Sequence, residues 1–273
     1  MRSRREPPLE VYHYTSNAGL VGIVENRSVW SSDIRYLNDA KDYAYAFEVF
    51  DRAFDVRPRH GLKLQRHAVD GARDQLRSIR GLQTFVASFS EVGDLLSQWR
   101  GYCPPGQGVS VGFPVELLQR RAIAQAYMFE PCLYEPIKQC RVVRDLIERY
   151  LGIDHPEQNG QLHASVGLAV QLHKLAPRLK HPSFAEEREW RLISEPRVIA
   201  FPGVAFRQSR SFLVPYRHFT LTEGPEAVLT LGRITVGPNP HPELARQSIN
   251  GFLSSRAVSG SRAHLSEVPY RPW

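Results

Sequence analysis

The chain has 273 residues, a formal net charge of +7 and a sequence pI near 9.5. Its apolar fraction of 42% and charged fraction of 23% are those of a soluble globular protein, enough for one large domain or two small ones with an ample core. The basic balance suits a polyanionic partner, either a nucleic acid or a phosphate-bearing cofactor, although the basic residues are spread along the chain. Cys103, Cys132 and Cys140 are odd in number and lack CxxC spacing, which argues against a disulfide framework and gives a cytoplasmic expectation. No apolar h-region opens the sequence and no apolar run approaches ~20 residues, so neither a secretory signal nor a membrane contact is expected.

In chain order, residues 11–15 read as a strand, with His13 and Thr15 on one face. Ser16 is placed to cap a short helix bearing Leu20, Ile23 and Val24, and Val29 to Ser32 forms a second short strand. Asp39 to Phe54 is helical, because Tyr43, Phe47, Phe50 and Phe54 recur at helical spacing; this stripe reads as core. Residues 61–80 form a basic helix. Phe85 to Ser90 is a strand, with Phe85, Ala87 and Phe89 on one face and Val86, Ser88 and Ser90 on the other. Asp94 is expected to cap a helix bearing Leu95, Trp99 and Tyr102. A Pro-Gly loop over 104–108 leads into a strand at Val109 to Phe113.

The middle is helical over about 115–126, 139–151 and 161–177, and is expected as a helical insertion of about 114–180 in one domain. Strands follow at 189–194, 197–201, 211–216 and 233–236, then a helix near 242–254 and a strand near 263–268. This order is α+β and not a regular βαβ array.

Most familiar motifs fail. Gly106, Gly108 and Gly112 have GxGxxxG spacing and precede a strand, where a dinucleotide fingerprint must follow one. No P-loop occurs. Gly108-Val109-Ser110-Val111-Gly112 fits GxSxG, but Ser110 lies between β-branched residues and the helix that should follow is delayed by Phe113-Pro114. The ten histidines show no zinc spacing, and the pairs His60/His67 and Asp154/His163 read as solvated. Lys138 and Lys180 receive no role.

Four segments remain: His13-Tyr14-Thr15, Ser88-Phe89-Ser90-Glu91, Ser97 to Tyr102, and Glu187-Arg188-Glu189-Trp190-Arg191. If the last lies in a strand, Glu187, Glu189 and Arg191 share one face and Trp190 the other. Each segment alone has an ordinary explanation, as strand polar residues, core aromatics or a surface ion pair.

Together they resemble a family, the widespread bacterial group catalogued as domain of unknown function 2971. The likeness runs through Tyr12 to Thr15, Leu20 to Trp30, Ile34 to Asp39, Phe89 to Glu91, Ser97 to Trp99, Gly108 to Phe113 and Glu187 to Arg191. It ends with Val236 to Pro238 and Glu267 to Arg271. That group in turn looks like the ADP-ribosyltransferase fold, of split, mostly antiparallel sheets. The resemblance implies NAD as co-substrate, His13 near the adenosine ribose, Glu189 as the catalytic glutamate and Glu187 as the leading member of an ExE pair. Ser88 and Ser90 resemble the central strand element, with Ser-Phe-Ser where Ser-Thr-Ser is common. Tyr14, Thr15, Trp99 and Tyr102 are candidates for the NAD site, the aromatic ones for the nicotinamide wall, and Arg35 or Arg100 for the pyrophosphate.

Breaking the nicotinamide–ribose bond develops oxocarbenium character, which a fixed carboxylate stabilises without reorganisation. The expected activity is therefore ADP-ribosyl transfer to a nucleic-acid or protein acceptor, or NAD glycohydrolysis with water in its place. The resemblance leaves the role open among toxin, phage defence and self-regulation. Two competing readings stand beside it: a non-catalytic nucleotide or nucleic-acid binder on the same fold, and a serine hydrolase using Ser110.

Overall fold

Ten strands join into one sheet in the computed structural model, which describes residues 7–37, 40–55, 66–151, 158–197, 202–209, 211–224, 226–258 and 261–270. The first half of the chain supplies β1 (Glu10–Ser16), α1 (Asn17–Asn26), β2 (Ser28–Asp33), α2 (Ala40–Asp55), α3 (Arg66–Ser78), β3 (Phe85–Ser90), α4 (Leu96–Tyr102), β4 (Gly108–Pro114) and α5 (Val115–Ala124). The second half adds β5 (Tyr127–Pro131), α6 (Pro136–Leu151), α7 (Gln158–Leu175), β6 (Glu189–Ser194), β7 (Ala205–Gln208), β8 (Leu213–Thr220), β9 (Ile234–Val236), α8 (Pro242–Ser255) and β10 (Ala263–Leu265). The main path is β10-β9-β4-β1-β3-β2-β8-β7, with β6 and β5 branching from β3. Every pairing is antiparallel except β9 with β10. The protein is thus mixed, with helices packed on a large, mostly antiparallel sheet, in keeping with the α+β expectation.

Alternation along the strands decides what each face buries. Ala87, Phe89, Trp190 and Leu192 point into the larger core, where Leu20, Ile23 and Val24 of α1, Leu118 of α5 and Leu253 of α8 cover the sheet. Val86 and Ile193 occupy the opposite face, beside Ile34 and Tyr43. A second core joins α2, α3, α6 and α7. The stripe Tyr43, Phe47, Phe50 and Phe54 belongs to it, as its spacing predicts, and Phe50 is wholly buried.

Several boundaries differ from expectation. The span 114–180 is not purely helical: it contains β5, which pairs with β6 along its length. The helical core also draws α2 and α3 from earlier in the chain, so it is not a single insertion. β7 was not foreseen, and β8 runs to Thr220 rather than stopping at 216. The expected strand at 197–201 falls mostly outside the described residues, as do His60 and Asp154; Arg197 alone bridges to Gln83. No helix among the described residues is long and apolar enough to cross a membrane.

Candidate functional site

The sheet splits at β3. Along one edge β3 pairs continuously with β6, from Val86↔Ile193 to Ser90↔Glu189. Along the other edge, β2 holds Phe85 and Val86 while β1 holds Ser90 through Tyr12. Ala87, Ser88 and Phe89 have no ladder partner there. β1 and β2 diverge across this gap, and α1 connects them. Of these three, Ala87 and Ser88 border a cavity of about 540 Å³, within the ~300–1,000 Å³ typical of small-molecule sites. His13, Thr15, Ser88, Tyr102, Glu189 and Arg191 all line it.

By register His13 belongs to the Phe89 face and Glu189 to the Ser88–Arg191 face. Both nevertheless line this cavity and a smaller one beside it. His13 Nδ1 lies 2.9 Å from the Ser88 carbonyl oxygen, filling part of the missing ladder. A carbonyl only accepts, so Nδ1 carries the proton and Nε2 is left as an acceptor. Burial pushes the His13 pKa down, against the opposing pull of the Ser88 carbonyl, and keeps the ring neutral at pH 7.

Glu189 opens β6 and is 5% exposed. Arg191 grips it with two nitrogens, Nε at 2.6 Å from Oε1 and Nη2 at 3.0 Å from Oε2. Lys180 Nζ adds a third contact, 2.7 Å from Oε2, and reaches Glu187 Oε2 at 2.5 Å. Burial alone would raise the Glu189 pKa, but the charges of Arg191 and Lys180 override it and hold it at about 2. The Glu189 backbone is fixed as well: its N–H donates to the Tyr134 hydroxyl and its carbonyl accepts from Cys132 N.

Glu187 does not lie on the β6 strand. It ends a 3-10 turn (Pro182–Glu187), and Arg188 follows in the left-handed region at φ 43°. That residue turns the chain so that two glutamates two positions apart both reach Lys180. The shared strand face holds for Glu189 and Arg191 only. Glu187 lines a smaller adjoining cavity of about 50 Å³ together with His13, Ser90, Tyr102 and Glu189.

Lys180 is the member of the candidate site that the sequence did not disclose. It is a lone lysine in Arg178-Leu179-Lys180-His181, with no pattern around it. The helical core places it: Gln139 Nε2 donates to the Lys180 carbonyl, and Tyr45 donates to Gln139 Oε1. The Lys180 side chain is fully buried, and the pull of the Glu189 charge outweighs burial to hold its pKa above the usual lysine value. Lys138, by contrast, is an exposed partner of Glu135.

Other expected site residues have structural partners. Ser90 Oγ donates to the Glu187 carbonyl and accepts from Val92 N, which locks the turn after β3. The Tyr14 hydroxyl donates to the Val92 carbonyl and accepts from Leu95 N, and its ring packs edge-on to Trp99 at 4.7 Å. Tyr14 borders only the smaller cavity, and Trp99 borders neither of these two. Asp94 does not cap α4, whose N-cap is Leu95 without a side-chain bond. It accepts instead from Trp99 Nε1, Ser266 Oγ and Glu267 N, tying α4 to the end of the chain.

Arg35 is held by both oxygens of the buried Asp33 and by the Gly81 carbonyl, away from the cavity; Arg207 is the other arginine that lines it. Arg100 stacks on Tyr270. Ser110 is fully buried within β4, opposite Tyr14, and cannot present a nucleophile. Among the described residues no group of three His, Cys, Asp or Glu is placed to hold a metal ion.

Residues 98–192 match the model of the family described as protein of unknown function (DUF2971). The match spans α4 to β6 and includes Glu187, Glu189 and Arg191, and it supports the resemblance over that part of the chain. No curated protein and no solved structure matches the chain.

Proposed function

We propose that the protein is an NAD-consuming ADP-ribosyltransferase on an ADP-ribosyltransferase-like split sheet. The observation that carries this reading is the convergence of His13 and Glu189 on one cavity at the split. The neutral His13 accepts a ribose hydroxyl at Nε2, and Ser88 and Thr15 border the same space. Glu189, ionised far below pH 7, has four lone-pair sites and three donors on them, so one site remains for a ribose hydroxyl.

As the nicotinamide–ribose bond breaks, nicotinamide leaves with the bonding pair and positive charge spreads over C1′ and the ring oxygen. Glu189 is preorganised against that charge. The acceptor then attacks C1′ from the side of Glu187, which takes up its proton. In the glycohydrolase variant the attacking group is water, which the small cavity beside Glu187 has room for.

A second reading, a non-catalytic nucleotide binder, is favoured by one observation. Lys180 and Arg191 balance Glu187 and Glu189 charge for charge, which weakens the field that Glu189 offers a cation. Incubation with NAD separates the two. Release of free nicotinamide supports the transferase reading. Binding of NAD without release, with or without cell extract, moves the assignment to the binder.

A further inference from the structure

The cavity at the split carries its charges unevenly. At the β6 end Glu189 is met by Arg191 and Lys180, and Lys180 also meets Glu187, so two carboxylates face two cations. His13 is neutral there. Besides these, the charged side chain on the cavity wall, among the described residues, is Arg207 of β7.

Register puts Arg207 on the same face of the sheet as Glu189. Arg207 lies opposite Val214 of β8; two residues along, Tyr216 lies opposite Ser32 of β2, and Ser32 lies opposite Val86 of β3. Val86, Ser88 and Ser90 face the same way, opposite Ile193, Arg191 and Glu189. Four strand spacings, roughly 19 Å, therefore separate β7 from β6 across one face. On that face β2 and β8 present no acid. Asp33 is opposite Phe85, on the other face, and is engaged by Arg35; Arg217, opposite Ser31, points to that other face as well.

Arg207 is half-buried, and among the described residues it makes no hydrogen bond, ion pair or ring contact. Its guanidinium gives up part of its hydration without a compensating partner in the fold. The planar fork of arginine matches a phosphate with two parallel bonds. Trp30 and Tyr36 line the same cavity, and a molecule that brings a ring to them and an anion to Arg207 is a nucleotide.

We propose that Arg207 is the phosphate-binding residue of the cavity, which orients a nucleotide with its phosphate towards β7. The charge-balanced end at β6 then receives an uncharged sugar. Placing the nicotinamide ribose there rests on the NAD reading; the phosphate contact at Arg207 does not.

The test is calorimetric titration with ADP-ribose and with adenosine, which shares the base and sugar but lacks the phosphates. The wild type is expected to bind ADP-ribose more tightly than adenosine. Arg207→Ala should weaken ADP-ribose binding roughly 10- to 150-fold and leave adenosine binding unchanged, the loss of a hydrogen bond between charged groups. Arg207→Lys should retain part of the margin, because it keeps the charge and loses the fork. A margin for NADP over NAD that disappears in Arg207→Ala would also support the proposal and assign the phosphate to the adenosine ribose; equal loss for both assigns it to the pyrophosphate. Unchanged ADP-ribose affinity in Arg207→Ala overturns the proposal, as does an equal loss for adenosine, which would make Arg207 a shape contact. Absence of ADP-ribose binding by the wild type overturns it too. Nicotinamide release from NAD, assayed in parallel, reports on the transferase reading by itself: a protein that binds ADP-ribose through Arg207 and releases no nicotinamide keeps this assignment and loses that one.

Discussion

The ammonium of Lys180 lies 2.7 Å from Glu189 Oε2, and the lysine side chain is wholly buried. This pair joins the helical core to the split sheet. It also brings one ammonium into contact with two glutamates, Glu189 and Glu187.

Removing that cation has a predictable cost. Lys180→Met removes the cation that two buried carboxylates both contact and should destabilise the fold by about 3–5 kcal/mol near pH 7. The deficit should shrink as pH falls, because a carboxylate released from Lys180 accepts a proton more readily. Urea unfolding of both proteins between pH 7 and pH 4 checks this. A deficit independent of pH would mean that Lys180 contributes only packing.

A second pH effect is built into the junction between α7 and β3. His173 is fully buried, its ring bonded to the Tyr43 and Thr84 hydroxyls. Burial, aided by the Arg35 charge, lowers its pKa from 6.5 to about 4. The unfolded chain therefore binds the proton first as pH falls through 6.5. Stability should drop between pH 6.5 and 4, by about 1.4 kcal/mol per pH unit at the steepest. Glu189 acts lower: its stabilisation is complete above 4.5 and is lost as pH falls towards 2. In the His173→Gln variant the slope between 6.5 and 4 should flatten, as read by thermal melts across that range.

Arg188 is exposed and sits at positive φ between the two glutamates. Left-handed backbone costs a side-chain-bearing residue about 1–2 kcal/mol, and glycine escapes it. Arg188→Gly should leave stability within about 1 kcal/mol of the parent, the relief offset by chain entropy. Arg188→Val, β-branched, should destabilise by a further 1 kcal/mol or so. Denaturant midpoints for the two variants should therefore separate in that order.

The periodic signals were legible in the sequence. The aromatic stripe of α2, the alternation of β3 and the start of β6 lie where their spacing puts them, because each is a local consequence of burying one face. The meeting of His13 and Glu189 at one cavity was legible only through resemblance, since nothing local says that residues 176 positions apart converge. β7 carries just four residues of partly exposed edge strand and leaves almost no apolar pattern. Glu187 was misplaced because alternation was extended one step too far, across a residue that leaves the β region. Asp94 was given a capping role by sequence proximity, whereas the Trp99 indole and the chain end compete for it and win. Lys180 was invisible for a related reason: its partners lie across a 3-10 turn, and the glutamine that fixes its backbone comes from a distant helix.

The most direct measurement is nicotinamide release at saturating NAD by the wild type and by Glu189→Gln, with NAD binding and thermal stability followed in the same samples. A preorganised carboxylate predicts that the variant still folds and binds NAD while kcat falls by about 10²–10³. Equal rates in the two proteins would remove Glu189 from the reaction and contradict the account.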